Sequence, residues 1–220
     1  MKIAILLFPG TNRAADIAKC LSYFSKSPIS FIQPSTTTLD GYKLIVIPGG
    51  FSYGDENGYG KIASSQPIIK ALHKAVLSGT PTLGICNGFQ ILVASGLLPG
   101  VLLTNSNRQF IAKQVKLNVV NNNTIYTTEY KKNETIKLPI ANYAGKYWAC
   151  SNTRKMLEDN DQIVLKYKDN INGSVDSIAA IINKQGNVLG LMPHPENYYI
   201  SHQGGSDGAP LFRSLLKFIL

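Results

Sequence analysis

Cys86 sits where a strand pattern gives way to a helix pattern. The stretch "PTLGICNGFQILVASGLLPG", Pro81 to Gly100, runs from a short apolar segment into an apolar helical one, with Gly84 and Gly88 flanking the thiol. G-x-C-x-G at such a junction is the cysteine form of a nucleophile elbow, a turn so sharp that neighbouring side chains collide unless they are absent. It holds the thiol up at the end of a sheet, where the next helix aims its free N–H groups and positive dipole at the sulfur. A thiol with an ordinary pKa near ~8.5 is only about 3% thiolate at pH 7. Making it mostly thiolate takes about 2.7 kcal/mol. A helix N-terminus supplies ~0.3–1 kcal/mol, and about 2 at best. The dipole falls short, so a histidine is expected beside the sulfur.

The chain has three histidines, His73, His194 and His202. His73 lies inside the helical run "IIKALHKAV", and His202 in the loop "YYISHQGGSDG", where a substrate contact is conceivable. His194, in "LMPHPE" just past the strand pattern "NVLGL", emerges at a strand end as Cys86 does. Pro195 disfavours helix for the residue before it. In an extended segment residues i and i+2 point the same way, so Glu196 can hold one ring nitrogen while the other faces Cys86. That is a nucleophile–base–orienter arrangement. Acyl chemistry also needs donors for an oxyanion. "PGGFSYGD" follows the apolar strand "KLIVI", so the amides of Gly50 and Phe51, beside Gly49, face the amide of Asn87. The loop matches neither common phosphate-binding glycine pattern. Its glycine content makes its backbone costly to order, and a docked partner is the expected means of fixing it.

The elements that position these residues alternate. "KIAILLF" is a strand, 12–24 a helix, "ISFI" a strand, "YKLIVIPGG" a strand, 66–77 a helix begun by Pro67, "PTLGI" a strand and "GFQILVASG" a helix that Gly96 ends. Continuous apolar strands between helices imply a parallel sheet covered on both faces. The middle alternates with period two in "KQVKLNVV" and "TIYTTEY" around the turn "NNNT", so antiparallel strands are expected there. "DSIAAIINKQGNVLGL" reads as a hairpin and "GAPLFRSLLKFIL" as a closing helix. The fold class is α/β: a mainly parallel sheet with an added antiparallel portion, one domain over 1–220.

Composition bounds the rest. With 44% hydrophobic and 16% charged residues the chain reads as globular. Three cysteines make a disulfide framework unexpected, and a reducing, cytoplasmic compartment fits. The opening "MKIAILLFPGTN" stops at Pro9-Gly10 and reads as a buried strand rather than a signal peptide. No apolar run approaches the ~20 residues that span a bilayer, so no membrane partner is expected. The net charge of +9 is spread along the chain: 1–105 holds 8 Lys/Arg and 4 Asp/Glu, 106–220 holds 14 and 9. With no basic run interleaved with aromatics, nucleic acid is not an expected partner.

Taken in order, "FPGTN", "PGGFSYGD", "LGICNGFQIL", "GLLPG", "VVNNNT", "NGSVDSIAAIINKQGNVLGLMPHPE" and "DGAPLF" resemble the class I, triad-type glutamine amidotransferases over nearly the whole chain. The resemblance implies a flavodoxin-like fold. It implies hydrolysis of the glutamine side-chain amide through a thioester on Cys86, with His194 as base and acid and Glu196 as its orienter. Gln90 and Gly49 are implied substrate-pocket residues. No metal or cofactor is implied for this chain. ATP and Mg would be used by a separate synthetase subunit that receives the ammonia, alongside a small third subunit. Three departures stand out: Asn142 and Ala144 in "PIANYAG" replace a usual His and Glu, Gly58 a usual Arg, and Asn197 a usual Arg. Two other classes compete: another cysteine hydrolase on a related fold, which would lack "PGGFSYGD" and "HPE", and a catalytically weak assembly subunit.

Overall fold

The computed structural model describes residues 1–54 and 58–219. Along the chain come β1 (Ile3–Leu6), α1 (Ala14–Phe24), β2 (Ile29–Ile32), β3 (Leu44–Ile47), α2 (Lys61–Ser64), α3 (Pro67–Leu77), β4 (Thr82–Ile85), α4 (Asn87–Ala94), β5 (Val101–Leu103), β6 (Ile111–Val119), β7 (Thr135–Asn142), β8 (Lys146–Trp148), α5 (Ser151–Asp159), β9 (Ile163–Tyr167), β10 (Ile178–Ile182), β11 (Val188–Leu191) and α6 (Ala209–Ile219). The expected alternation holds from β1 to α4. Pro67 occupies the first turn of α3, where its missing N–H costs nothing.

Nine strands form one sheet in the order β2-β1-β3-β4-β11-β10-β9-β6-β7. The first five are parallel neighbours, and β11-β10, β10-β9, β9-β6 and β6-β7 pair antiparallel. The parallel order 2-1-3-4 followed by a fifth strand is the flavodoxin-like winding, which binds ligands beyond the carboxyl ends of its strands. "IAIL", "LIVI", "TLGI" and "VLGL" are buried at every position. That is why they read as unbroken apolar runs. The edge strand β7 alternates instead, with Ile136, Leu138, Ile140 and Asn142 buried. The hairpin over 178–191 is present, register Ala180 to Leu191. A separate ribbon pairs β5 with β8.

One expected strand is absent. "TIYTTEY", 124–130, forms successive turns, with Thr127 N–H donating to Thr124 O and Tyr130 N–H to Thr127 O (both 3.0 Å). Its alternation comes from buried tyrosines used as pins. The Tyr126 hydroxyl reaches the Thr82 and Asn187 carbonyls (2.8 and 2.7 Å) and accepts from the Thr82 amide (3.0 Å). The partner of β6 is β7, beginning five residues later at Thr135. No helix among the described residues is long and apolar enough to cross a membrane.

Candidate active site

The strand ends of β1, β3, β4 and β11 converge on one cavity of about 130 Å³, lined by Asn12, Arg13, Gly50, Phe51, Cys86, Phe110, Ala141 and His194. A roomier cavity, about 470 Å³, lies at the other end of β11 among Asn121, Asn122, Asn183 and Gly186, with neither cysteine nor histidine among the described residues of its lining.

Cys86 is the residue between β4 and α4, with φ 52° and ψ −105°. A left-handed φ at a non-glycine costs about 1–3 kcal/mol and must be imposed by its surroundings. The Cys86 amide continues the β4–β11 ladder by donating to Leu191 O (2.8 Å), and its carbonyl accepts from Gln90 N–H (3.1 Å). A Cβ on Gly88 would run into the Ile47 carbonyl, and one on Gly84 into Leu92 and the Gly88 backbone. Both glycines therefore allow α4 to begin directly against β3 and β4. The sulfur is 3.8 Å from the Ala141 carbonyl, which arrives from the antiparallel strand β7.

His194 and Glu196 meet as expected, by a different local route. Pro195 opens a 3-10 turn over Pro195–Asn197, closed by Asn197 N–H to His194 O (3.2 Å), where the spacing suggested extended chain. Proline fits the first position of a helical turn, and the tight turn brings i and i+2 together. Glu196 Oε1 lies 2.6 Å from His194 Nδ1, and both residues are buried. The His194 amide donates to Pro139 O (2.8 Å), pinning the turn to β7. Glu196 Oε2 and His194 Nε2 have no hydrogen-bond partner among the described residues. Burial alone would pull the imidazole pKa down, but Glu196, followed by Cys86, pushes it up to about 10. A buried carboxylate strongly favours a cation beside it, so the ring is held as imidazolium. Gly49 is required by this packing: a Cβ there would stand 2.8 Å from His194 Cε1 and 3.5 Å from Cys86 Cβ.

The loop after β3 is anchored through its described part. Phe51 N–H donates to Gly10 O (3.0 Å) and Tyr53 N–H to Pro9 O (2.8 Å). Asn87 Oδ1 accepts from the Ser52 amide (3.2 Å) and hydroxyl, Asn87 Nδ2 donates to Gln90 Oε1 (2.8 Å), and Gln90 Nε2 to Ala144 O (2.8 Å). A chain of buried amides thus ties the loop to α4 and to the residues after β7. Of the three expected donors, the Gly50 and Asn87 amides have no partner among the described residues, while the Phe51 amide is committed to Gly10. Gln90 is buried with its amide engaged, and it is not among the cavity-lining residues. The expected looseness of the loop over residues 55–57 lies outside the described residues.

His202 is exposed in a 3-10 turn away from the cavity lining, and His73 Nε2 sits 2.9 Å from Ser95 O. Asn142 is buried with neither end of its amide partnered among the described residues. Ala141, Phe110 and Arg13 escaped the sequence reading. Ala141 and Phe110 carry no local signal, whereas Arg13 follows "PGTN" at a strand end and was legible as a rim residue.

A buried histidine–carboxylate pair and an elbow thiol share one cavity at the carboxyl ends of a doubly wound sheet, an arrangement that offers a thiol and a base to one ligand. Residues 1–207 match the CobB/CobQ-like glutamine amidotransferase domain, and the chain belongs to that family. Among solved structures it is similar to PurLQS from Thermotoga maritima, with 39% identity, TM-score 0.92, and 100% of this chain and 99% of that chain covered. Two others share the fold at 14% identity and TM-score 0.64, each covering 100% of this chain. They are a glutamine amidotransferase from Thermotoga maritima (97% of that chain) and the glutaminase domain of Trypanosoma brucei CTPS with bound acivicin (93%).

Proposed function

We propose that this chain is the glutaminase subunit of phosphoribosylformylglycinamidine synthase, supplying ammonia from glutamine for purine biosynthesis. The observation that carries the reading is the shared cavity of Cys86 and His194, with the far nitrogen of His194 locked to buried Glu196. Similarity to the PurLQS chain over the full length supports the choice of synthase. The Cys86 thiolate attacks the side-chain amide carbon of glutamine. Negative charge develops on the amide oxygen, where the Gly50 and Asn87 amides are the available donors. His194 gives its Nε2 proton to the departing nitrogen, the C–N bond breaks, and ammonia leaves a thioester on Cys86. His194 then takes a proton from water, which attacks the thioester carbon and releases glutamate and the thiolate. Glu196 holds the ring in the orientation both steps need. Phe51 serves as a donor only if its bond to Gly10 is exchanged. Gln90 acts on substrate only if its amide turns from Ala144, and otherwise positions Asn87.

Ammonia passes to an ATP- and Mg-using synthetase subunit, with a small third subunit completing the complex. This chain holds no cofactor of its own. We assign it to the cytoplasm, supported by three cysteines that are all free thiols. The test is reaction with a glutamine-analogue alkylator and assay of the assembled synthase. Cys86 should be modified, and neither buried Cys20 nor exposed Cys150. Cys86→Ser should abolish glutamine-driven synthesis and spare ammonia-driven synthesis. Glutaminase surviving that substitution would remove Cys86 from the reaction.

A further inference from the structure

We propose that Arg13 recognises the α-carboxylate of the substrate, so that this residue selects amides carrying an anionic group four bonds from the reacting carbon. The inference rests on the glutaminase reading. Among the described residues, Arg13 is the one permanently charged side chain lining the cavity, and no carboxylate lines it. Its backbone is fixed at the site by Arg13 N–H donating to Gly49 O (3.2 Å). Its Cγ lies 3.4 Å from the point a Cβ on Gly49 would occupy, and that point is 3.5 Å from Cys86 Cβ. The stem therefore climbs the wall beside the nucleophile, and the guanidinium stands at the rim, where the side chain is 43% exposed.

In glutamine the amide carbon and the α-carboxyl carbon are separated by four C–C bonds, about 5 Å when extended. A substrate with its amide at Cys86 thus carries its carboxylate to the rim and not to the cavity floor. The floor already holds its own ion pair, His194 with Glu196. Asp16 on α1 accepts from Arg13 Nη1 at 3.0 Å and steers the fork. The other guanidinium N–H groups have no partner among the described residues. A guanidinium has five donors in a planar fork that matches a carboxylate two bonds at a time, so one tether leaves room for a second, bidentate anion. Phe51 and Phe110 line the same cavity and are exposed, so they offer apolar surface beside that contact.

The experiment uses the assembled synthase and compares glutamine with 4-aminobutanamide, the same amide without the carboxylate. Arg13→Ala should raise the KM for glutamine tenfold or more while kcat falls less than threefold, and Arg13→Lys should recover part of the loss. Wild type should prefer glutamine over 4-aminobutanamide in kcat/KM, and in Arg13→Ala that preference should shrink at least tenfold. Alkylation of Cys86, followed by peptide mass spectrometry, separates binding from damage to the site. The rate with a carboxylate-bearing glutamine analogue should drop in Arg13→Ala, and the rate with neutral iodoacetamide should stay within twofold. A preference unchanged in Arg13→Ala, or equal loss with both alkylators, would overturn the assignment of Arg13 while leaving the glutaminase reading standing. Wild-type synthase that does not turn over glutamine would overturn both.

Discussion

His194 is the cavity residue whose protonation the fold shifts. Its folded pKa is raised from 6.5 to about 10, with Glu196 the largest raising cause against burial. The imidazolium is therefore favoured across neutral pH, the form that the proposed reaction needs to protonate the leaving nitrogen. In Glu196→Gln the larger support is gone, leaving Cys86 alone to offset burial. The alkaline limb of the kcat/KM profile should move down from near 10 towards 6.5, with kcat reduced. His194→Ala should nearly abolish turnover, because in the proposed reaction leaving-group protonation and water activation both pass through Nε2. A Glu196→Gln profile that overlays wild type would show that another group sets the limb. His202→Ala, in an exposed turn off the cavity, should change turnover less than twofold. Loss equal to that of His194→Ala would mean that the wrong base has been assigned.

At the scale of elements, the elbow depends on how closely α4 approaches β3 and β4. Gly88→Ala places a methyl against the Ile47 carbonyl, which belongs to a strand and cannot move aside. The substitution should cost about 2–3 kcal/mol in urea unfolding and remove glutaminase activity together. Gly79→Ala is the contrast: nothing lies within 4 Å, but φ is +86°. It should cost about 1 kcal/mol from backbone strain alone and leave turnover intact. A loss at Gly88 no larger than that at Gly79 would mean that the close approach of α4 to Ile47 is relieved without cost. The loop after β3 carries a second lesson. Glycine content suggests a costly segment, yet residues 51–53 are tied to Gly10, Asn87 and Pro9. Local composition does not report anchors supplied by two other elements.

Across the whole molecule, burial pushes the acidic groups of the core upward: the Tyr126, Tyr130, Tyr147 and Tyr167 hydroxyls and the Cys20 thiol. These groups ionise near 9–10 when unfolded and stay neutral when folded. Their contribution is complete below that range and is lost as pH rises, because only the unfolded chain releases protons. His194 acts in the same direction, its contribution present below 6.5 and lost as pH climbs towards about 10. The urea midpoint should therefore fall steadily from neutral pH to pH 11, and a flat midpoint would contradict this burial. Much of this was legible in the sequence. The elbow glycines, Pro195 beside His194 and the unbroken runs of β1, β3, β4 and β11 state local constraints, which neighbouring residues satisfy by themselves. The sequence therefore determined the parallel sheet, the placing of Cys86 and His194 at its strand ends with Glu196 beside the ring, and the hairpin before them. It did not determine that β7 rather than 124–130 pairs with β6, that Ala141 and Phe110 wall the cavity, or that the Phe51 amide is already taken. Those depend on contacts between segments far apart in the chain, such as Cys86 with Ala141 and Tyr126 with Asn187. Only the packed structure decides such contacts, because each joins backbone groups that local periodicity leaves free to pair elsewhere.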